Sequence, residues 1–146
     1  MNLYVNSGLS CVMAVFIGAA AADLSAQAQP AGTTANLGTV RIPRAVRADG
    51  QALPAGSYQV RLTETVATPE APGQTPQYER WAEFLRNGKV VGREVVTIVP
   101  PSDIADVADM RPPPPGGTRV EMLKDNEYLR VWMNRAGTHY LIHLAV

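Results

Sequence analysis

Residues 80–99, RWAEFLRNGKVVGREVVTIV, fold back on themselves. Two runs rich in β-branched and aromatic side chains flank Asn87-Gly88. A two-residue Asn-Gly loop is the preferred type I′ hairpin turn, because both of its positions need positive φ. The rest of the chain supplies strands to pair with this hairpin. SYQVRLTETV (57–66) alternates, with Tyr58, Val60 and Leu62 on one side and Gln59, Arg61 and Thr63 on the other, as in a half-buried antiparallel strand. TVRI (39–42) is a short strand stopped by Pro43, and ADGQALPAG (48–56) reads as turns. ATPEAPGQTPQ (67–77), with three prolines and a glycine, is a loop.

Farther on, TRVEMLK (118–124) and EYLRVWMN (127–134) are strands flanking Asp125-Asn126. The second leads through a three-residue loop, Arg135-Ala136-Gly137, into THYLIHLAV (138–146). PPSDIADVADM (100–110) breaks the β pattern. Ser102 is placed to cap a short helix with Asp103 and Asp106 in its first turn and Ile104, Val107 and Ala108 as its apolar stripe. RPPPPGG (111–117) ends that helix and is extended or turning. The expectation is an all-β fold of about seven antiparallel strands with one short helix near 102–110. A β-sandwich is the usual way to bury such strands, with a small β-barrel as the alternative.

The N-terminus carries a different signal. Cys11–Ala22 is an apolar run of twelve, short for a bilayer span and the right length for the core of a signal peptide. Ala26-Gln27-Ala28 offers a small-x-small cleavage site, although residues 1–10 contain no Lys or Arg. The predicted organisation is a signal peptide at 1–28, a flexible leader at 29–37 and one β-rich domain at 38–146. The product is expected to be secreted or periplasmic, with no transmembrane segment after cleavage. Cys11 leaves with the signal, so disulfides and cysteine chemistry are not expected in the mature chain. From Gln29 onward there are 13 basic and 12 acidic residues. That balance gives no broad attraction to nucleic acid, and Arg41, Arg44 and Arg47 read as solvated.

His139 and His143 would share a helical face, but on a strand they stand about 13 Å apart at roughly 3.3 Å per residue. One zinc ion with bonds of about 2 Å cannot hold both, so no metal site is expected. Pairing across a 135–137 loop sets Trp132 against Tyr140, Arg130 against Ile142 and Tyr128 against Leu144. The other face carries Met133 with His139, Val131 with Leu141 and Leu129 with His143. Both faces are largely apolar, so the hairpin is either covered on both sides or meets a ligand or partner on one. A slip of one residue exchanges the faces. Tyr128, Arg130, Trp132 and Tyr140 form the candidate recognition surface, chemically suited to a sugar ring, an aromatic ligand or another protein.

Glu83 and Glu94 are expected on one face of the Asn-Gly hairpin, close to Trp81. Two carboxylates beside an aromatic suggest glycosidase chemistry, against the plainer reading of two acids on a solvated face. Asp103, Asp106 and Asp109 lack the glycine bend of a calcium loop. Ser57 and Ser102 sit in no nucleophile elbow, and neither a P-loop nor a dinucleotide fingerprint occurs.

DGQALPAGSYQVRL (49–62) resembles the turn-plus-strand signature of transthyretin-like, carboxypeptidase-regulatory-like β-sandwich modules of exported bacterial proteins, through Leu53, Pro54, Gly56 and Tyr58. The resemblance covers 14 residues, and the aromatic strand that precedes the turn in those modules is missing. It implies a sandwich with a binding or structural role and assigns no site residue. Sequence alone therefore predicts an exported, cofactor-free binding or envelope-associated structural module, with a protein, carbohydrate or envelope component as partner. The alternatives are a β-barrel carrier of a small apolar ligand, a carbohydrate-active enzyme using Glu83 and Glu94, and self-association through an uncovered strand or apolar face.

Overall fold

The computed structural model describes residues 34–67, 78–108 and 110–146. The expected signal peptide, most of the expected leader, the loop at 68–77 and Asp109 lie outside the described residues. Nine strands and one helical turn follow in order: β1 (Ala35–Ile42), β2 (Val46–Ala48), β3 (Gln51–Leu53), β4 (Gly56–Val66), β5 (Glu79–Arg86), β6 (Lys89–Val99), α1 (Ile104–Val107), β7 (Thr118–Leu123), β8 (Tyr128–Arg135) and β9 (Thr138–Ala145).

All the pairings are antiparallel and belong to one sheet. The all-β class is as expected, but the strands make a single sheet curled into a half-barrel instead of two separately bonded layers. The main path runs β1-β4-β5-β6-β9-β8-β7, and the small β2–β3 hairpin joins the far end of β9 through Arg47 and Ala145. Two strands exceed the expected seven because Asp49-Gly50, with φ of 44° and 75°, is itself a hairpin turn. β1 also begins inside the expected leader, at Ala35.

The concave side is filled. Leu37, Val40, Ile42, Tyr58, Val60, Phe84, Val96, Leu129, Val131, Met133, Ile142 and Leu144 are all buried there in one cluster. Burying a side chain of this size contributes roughly 1.5–3 kcal/mol, so this interior is the main source of stability. Tyr58 anchors it, with its ring edge-on to Phe84 at 6.2 Å and its hydroxyl donating to the Pro54 carbonyl at 2.5 Å. Arg86 stacks over that ring and donates to the same hydroxyl at 3.0 Å. Gly56 lies under the Arg86 guanidinium at φ 152°, where any Cβ would collide with it.

The curled sheet leaves a seam between its first and last strands, and Arg135 spans it. Leu37 is the extra residue of a bulge in β1, unpaired with β4, and its carbonyl accepts from Arg135 Nε at 2.5 Å. The same guanidinium donates to the Gly117 carbonyl at 2.8 Å, the Asn134 carbonyl at 2.9 Å and Thr118 Oγ1 at 3.1 Å. Capping an edge with a charged side chain is a known defence against unwanted strand pairing.

Two register changes correct the sequence expectations. In the β5–β6 hairpin Phe84 faces Gly92 while Leu85 faces Val90, so Val91 is an inserted bulge residue. At the β8–β9 connection the turn is two residues, Ala136 (φ 53°) and Gly137 (φ 90°), with Arg135 paired to Thr138. The expected three-residue loop is one too long, and every pair in that hairpin moves by one.

Candidate functional site

The corrected register lays out the convex surface of β7, β8 and β9 as rows. Leu123, Tyr128 and Ala145 form one row, Glu121, Arg130 and His143 the next, and Arg119, Trp132 and Leu141 the third. Asn134 faces His139 in a fourth. Side chains directly opposite each other on a sheet share a face, so Tyr128, Arg130 and Trp132 stay together. Tyr140 does not join them. It pairs with Met133 and packs half-buried against the concave core.

Trp132 is also withdrawn from the surface. It is fully buried with Val99, Ile104, Ala108 and Leu141 in a second, convex-side cluster. Its lid is α1, one turn whose Ile104 and following Ala108 point inward, whereas Val107, expected in the apolar stripe, is 49% exposed. Asp103 occupies the N-cap position without a side-chain capping bond, and the expected cap, Ser102, donates instead to the Asp103 carboxylate at 2.6 Å. The Trp132 indole N–H donates to His139 Nδ1 at 3.0 Å, which fixes that nitrogen as an acceptor and leaves the imidazole neutral. Burial lowers the His139 pKa from its ordinary value.

The proline run is fastened beside this lid. Asn134 Nδ2 donates to the Pro113 carbonyl at 2.9 Å, Arg119 donates to the Arg111 carbonyl at 2.6 Å, and the Asn134 main chain exchanges bonds with Gly116 and Gly117. One end of the convex face is therefore sealed.

The other end is open. Leu123, Lys124, Tyr128 and His143 line a shallow depression of about 320 Å³. Tyr128 is 37% exposed, and the Lys124 ammonium stands 5.4 Å from its ring centroid. Between this depression and Trp132 lies Arg130, its guanidinium 5.2 Å over the indole and ion-paired with Glu121. Glu121 keeps its second oxygen buried without a hydrogen-bond partner. The His143 pKa is lowered, first by desolvation and then by the charges of Arg130 and Lys124, with Glu121 opposing.

Of the four predicted surface residues, then, Tyr128 and Arg130 border the open end, Trp132 lies under the lid, and Tyr140 is on the other side of the sheet. Lys124 and His143 were missed. The signal for His143 was the row pairing, hidden by the one-residue error in the β8–β9 turn, whereas Lys124 lies in the turn after β7 and belongs to no row.

The carboxylate pair is separated. The Val91 bulge sets Glu94 opposite Ala82, while Glu83 faces Arg93. Because Ala82 and Glu83 are adjacent on one strand, the two acids point to opposite faces. Glu83 accepts from Arg61 at 2.5 and 2.9 Å, and Glu94 accepts from the Asp49 main-chain N–H at 2.7 Å. Among the described residues, no three His, Cys, Asp or Glu side chains gather to hold a metal ion, and no helix is long and apolar enough to cross a membrane. Comparison with family models, curated proteins and solved structures finds no significant match to this chain.

Proposed function

We propose that this chain is an exported, non-enzymatic binding or envelope-associated structural module that meets its partner through the open end of the convex β7–β8–β9 surface. The observation that carries this proposal is the division of that surface. α1 and the proline run seal the Trp132 end, whereas Tyr128, Lys124 and His143 stand open around a depression. Aromatic and basic side chains at the rim of a concave surface are the usual equipment of a recognition site.

The filled concave side supports surface binding over carriage of an apolar molecule inside the sheet. The opposed directions of Glu83 and Glu94 weigh against a paired-carboxylate enzyme. Export rests on the apolar run and small-x-small site of residues 1–28, and the resemblance at 49–62 adds support for a binding or structural role.

Native mass spectrometry of the chain purified from the exported fraction tests the proposal, with Tyr128→Ala and His143→Ala in parallel. The expected result is an N-terminus at Gln29 and a non-covalent adduct or partner chain that both variants lose. An exported chain retaining Met1 overturns cleavage. An adduct unaffected by the variants, or none on the wild type, overturns the binding surface.

A further inference from the structure

We propose that the depression bounded by Leu123, Lys124, Tyr128 and His143 takes a flat organic acid, its carboxylate held between the Lys124 ammonium and the His143 imidazole and its ring against Tyr128 and Leu123. This rests on the assignment of the same surface as the binding face.

Charge complementarity selects an anion. No acidic side chain lines the depression. Glu121, the nearest acid of the neighbouring row, is engaged by Arg130, and among the described residues neither Lys124 nor His143 joins a salt bridge. Two basic groups thus share one concave surface with no acid in its lining and no ion pair of their own. Size and lining select the body of the ligand. About 320 Å³ is at the small end of ligand-site volumes, roughly 300–1,000 Å³, and two of the four lining side chains are an aromatic ring and an aliphatic one.

A bound carboxylate also alters His143. In the free protein, desolvation, Arg130 and Lys124 disfavour the imidazolium, Glu121 favours it, and Arg47 lies on the strand paired beyond Ala145. An anion beside the ring favours the protonated form. Binding is therefore linked to proton uptake, and affinity falls as pH rises through the His143 pKa.

The test uses three probes on the mature chain: benzoate, acetate (charge without ring) and benzyl alcohol (ring without charge). Affinity is measured by calorimetry at several pH values, and the histidine ring signals are followed by NMR. Benzoate is expected to bind at least tenfold more tightly than either control and to raise the His143 pKa. Lys124→Gln is expected to weaken benzoate at least tenfold with an unchanged spectrum elsewhere, and His143→Gln to remove the pH dependence. Equal affinity for acetate reduces the site to a simple anion contact, and equal affinity for benzyl alcohol removes the charge requirement. Either result overturns the proposal, as does benzoate binding that Lys124→Gln leaves intact. If benzoate fails while Tyr128→Ala still strips the natural adduct, the ligand class falls and the binding face stands. If the adduct also survives Tyr128→Ala, both fall.

Discussion

Arg135→Ala should open the seam between β1 and β7. Four acceptors lose their donor: the carbonyls of Leu37, Gly117 and Asn134, and Thr118 Oγ1. The Asn134 carbonyl keeps the Gly116 N–H, and the Thr118 hydroxyl is reached by water. The Gly117 carbonyl likewise keeps the Asn134 N–H, so the cost concentrates on Leu37, whose bulged position leaves it unpaired with β4. At about 1–3 kcal/mol for leaving that carbonyl without its donor, plus the lost contacts of the arginine stem, the expected destabilisation is about 2–3 kcal/mol. Lys at 135 offers one point donor instead of a fork and should recover about 1 kcal/mol of this. Urea denaturation reads the change directly. With a slope of about 1–3 kcal/mol per M, the midpoint should fall by about 1–2 M, and hydrogen exchange should show β1 amides losing protection first. Gly38 supplies an internal check. A Cβ there would sit 2.7 Å from Arg135 Nη2, on a backbone at φ +105°. Gly38→Ala should therefore cost less in the Arg135→Ala background than alone, because the collision disappears while the backbone strain remains. A loss below about 0.5 kcal/mol for Arg135→Ala, or strict additivity with Gly38→Ala, would refute the seam argument.

Trp132→Phe removes the indole donor and leaves the buried His139 Nδ1 without it, so a loss of about 1–3 kcal/mol is expected by thermal or urea unfolding. Because the folded His139 and His143 pKa values both lie below the ordinary 6.5, the unfolded chain binds more protons. Stability should be full above pH 6.5 and decline as pH falls from there through the folded values, less steeply in His139→Gln, as a pH series of denaturation curves would show. Ala136→Gly relieves a non-glycine residue at φ 53° in an exposed turn and should stabilise by about 1 kcal/mol, raising Tm by a few degrees in calorimetry. Glu83→Gln breaks a half-exposed pair with Arg61 and should cost under about 1 kcal/mol in the same assay.

The strands were legible where local chemistry and burial agreed. Asn87-Gly88 adopts φ of 52° and 75°, and Tyr58 and Val60 are buried as their alternation requires. The failures have physical causes. Ala136 carries a side chain and still adopts the left-handed region, which local propensity assigns to glycine, so nothing in residues 135–137 marks a two-residue turn. That single residue exchanged Tyr140 for His143 on the candidate surface. Gly92 in the interior of β6 is a usable sign of a bulge, because glycine inside a strand often marks one, and in the structure a Cβ there would meet Leu53 at 2.9 Å. Reading it would have separated Glu83 from Glu94 in advance. That one sheet would curl round to nearly meet itself was beyond local pattern, because it depends on Arg135 reaching a bulge residue 98 positions away.

β9 bonds to β6, β8 and β2, so it is the piece through which the other strands become one sheet. A chain emerging residue by residue from a ribosome can assemble β1, β4, β5 and β6, and separately the β7–β8 hairpin. It cannot join them until residues 138–145 arrive. Bringing Ala145 back to Arg47 closes a loop of about 100 residues, at a cost of about 4 kcal/mol before any contact offsets it. Completion is thus deferred until residues 138–145 have emerged, and a polypeptide cut short before Thr138 leaves two unpaired edges facing each other with nothing between them.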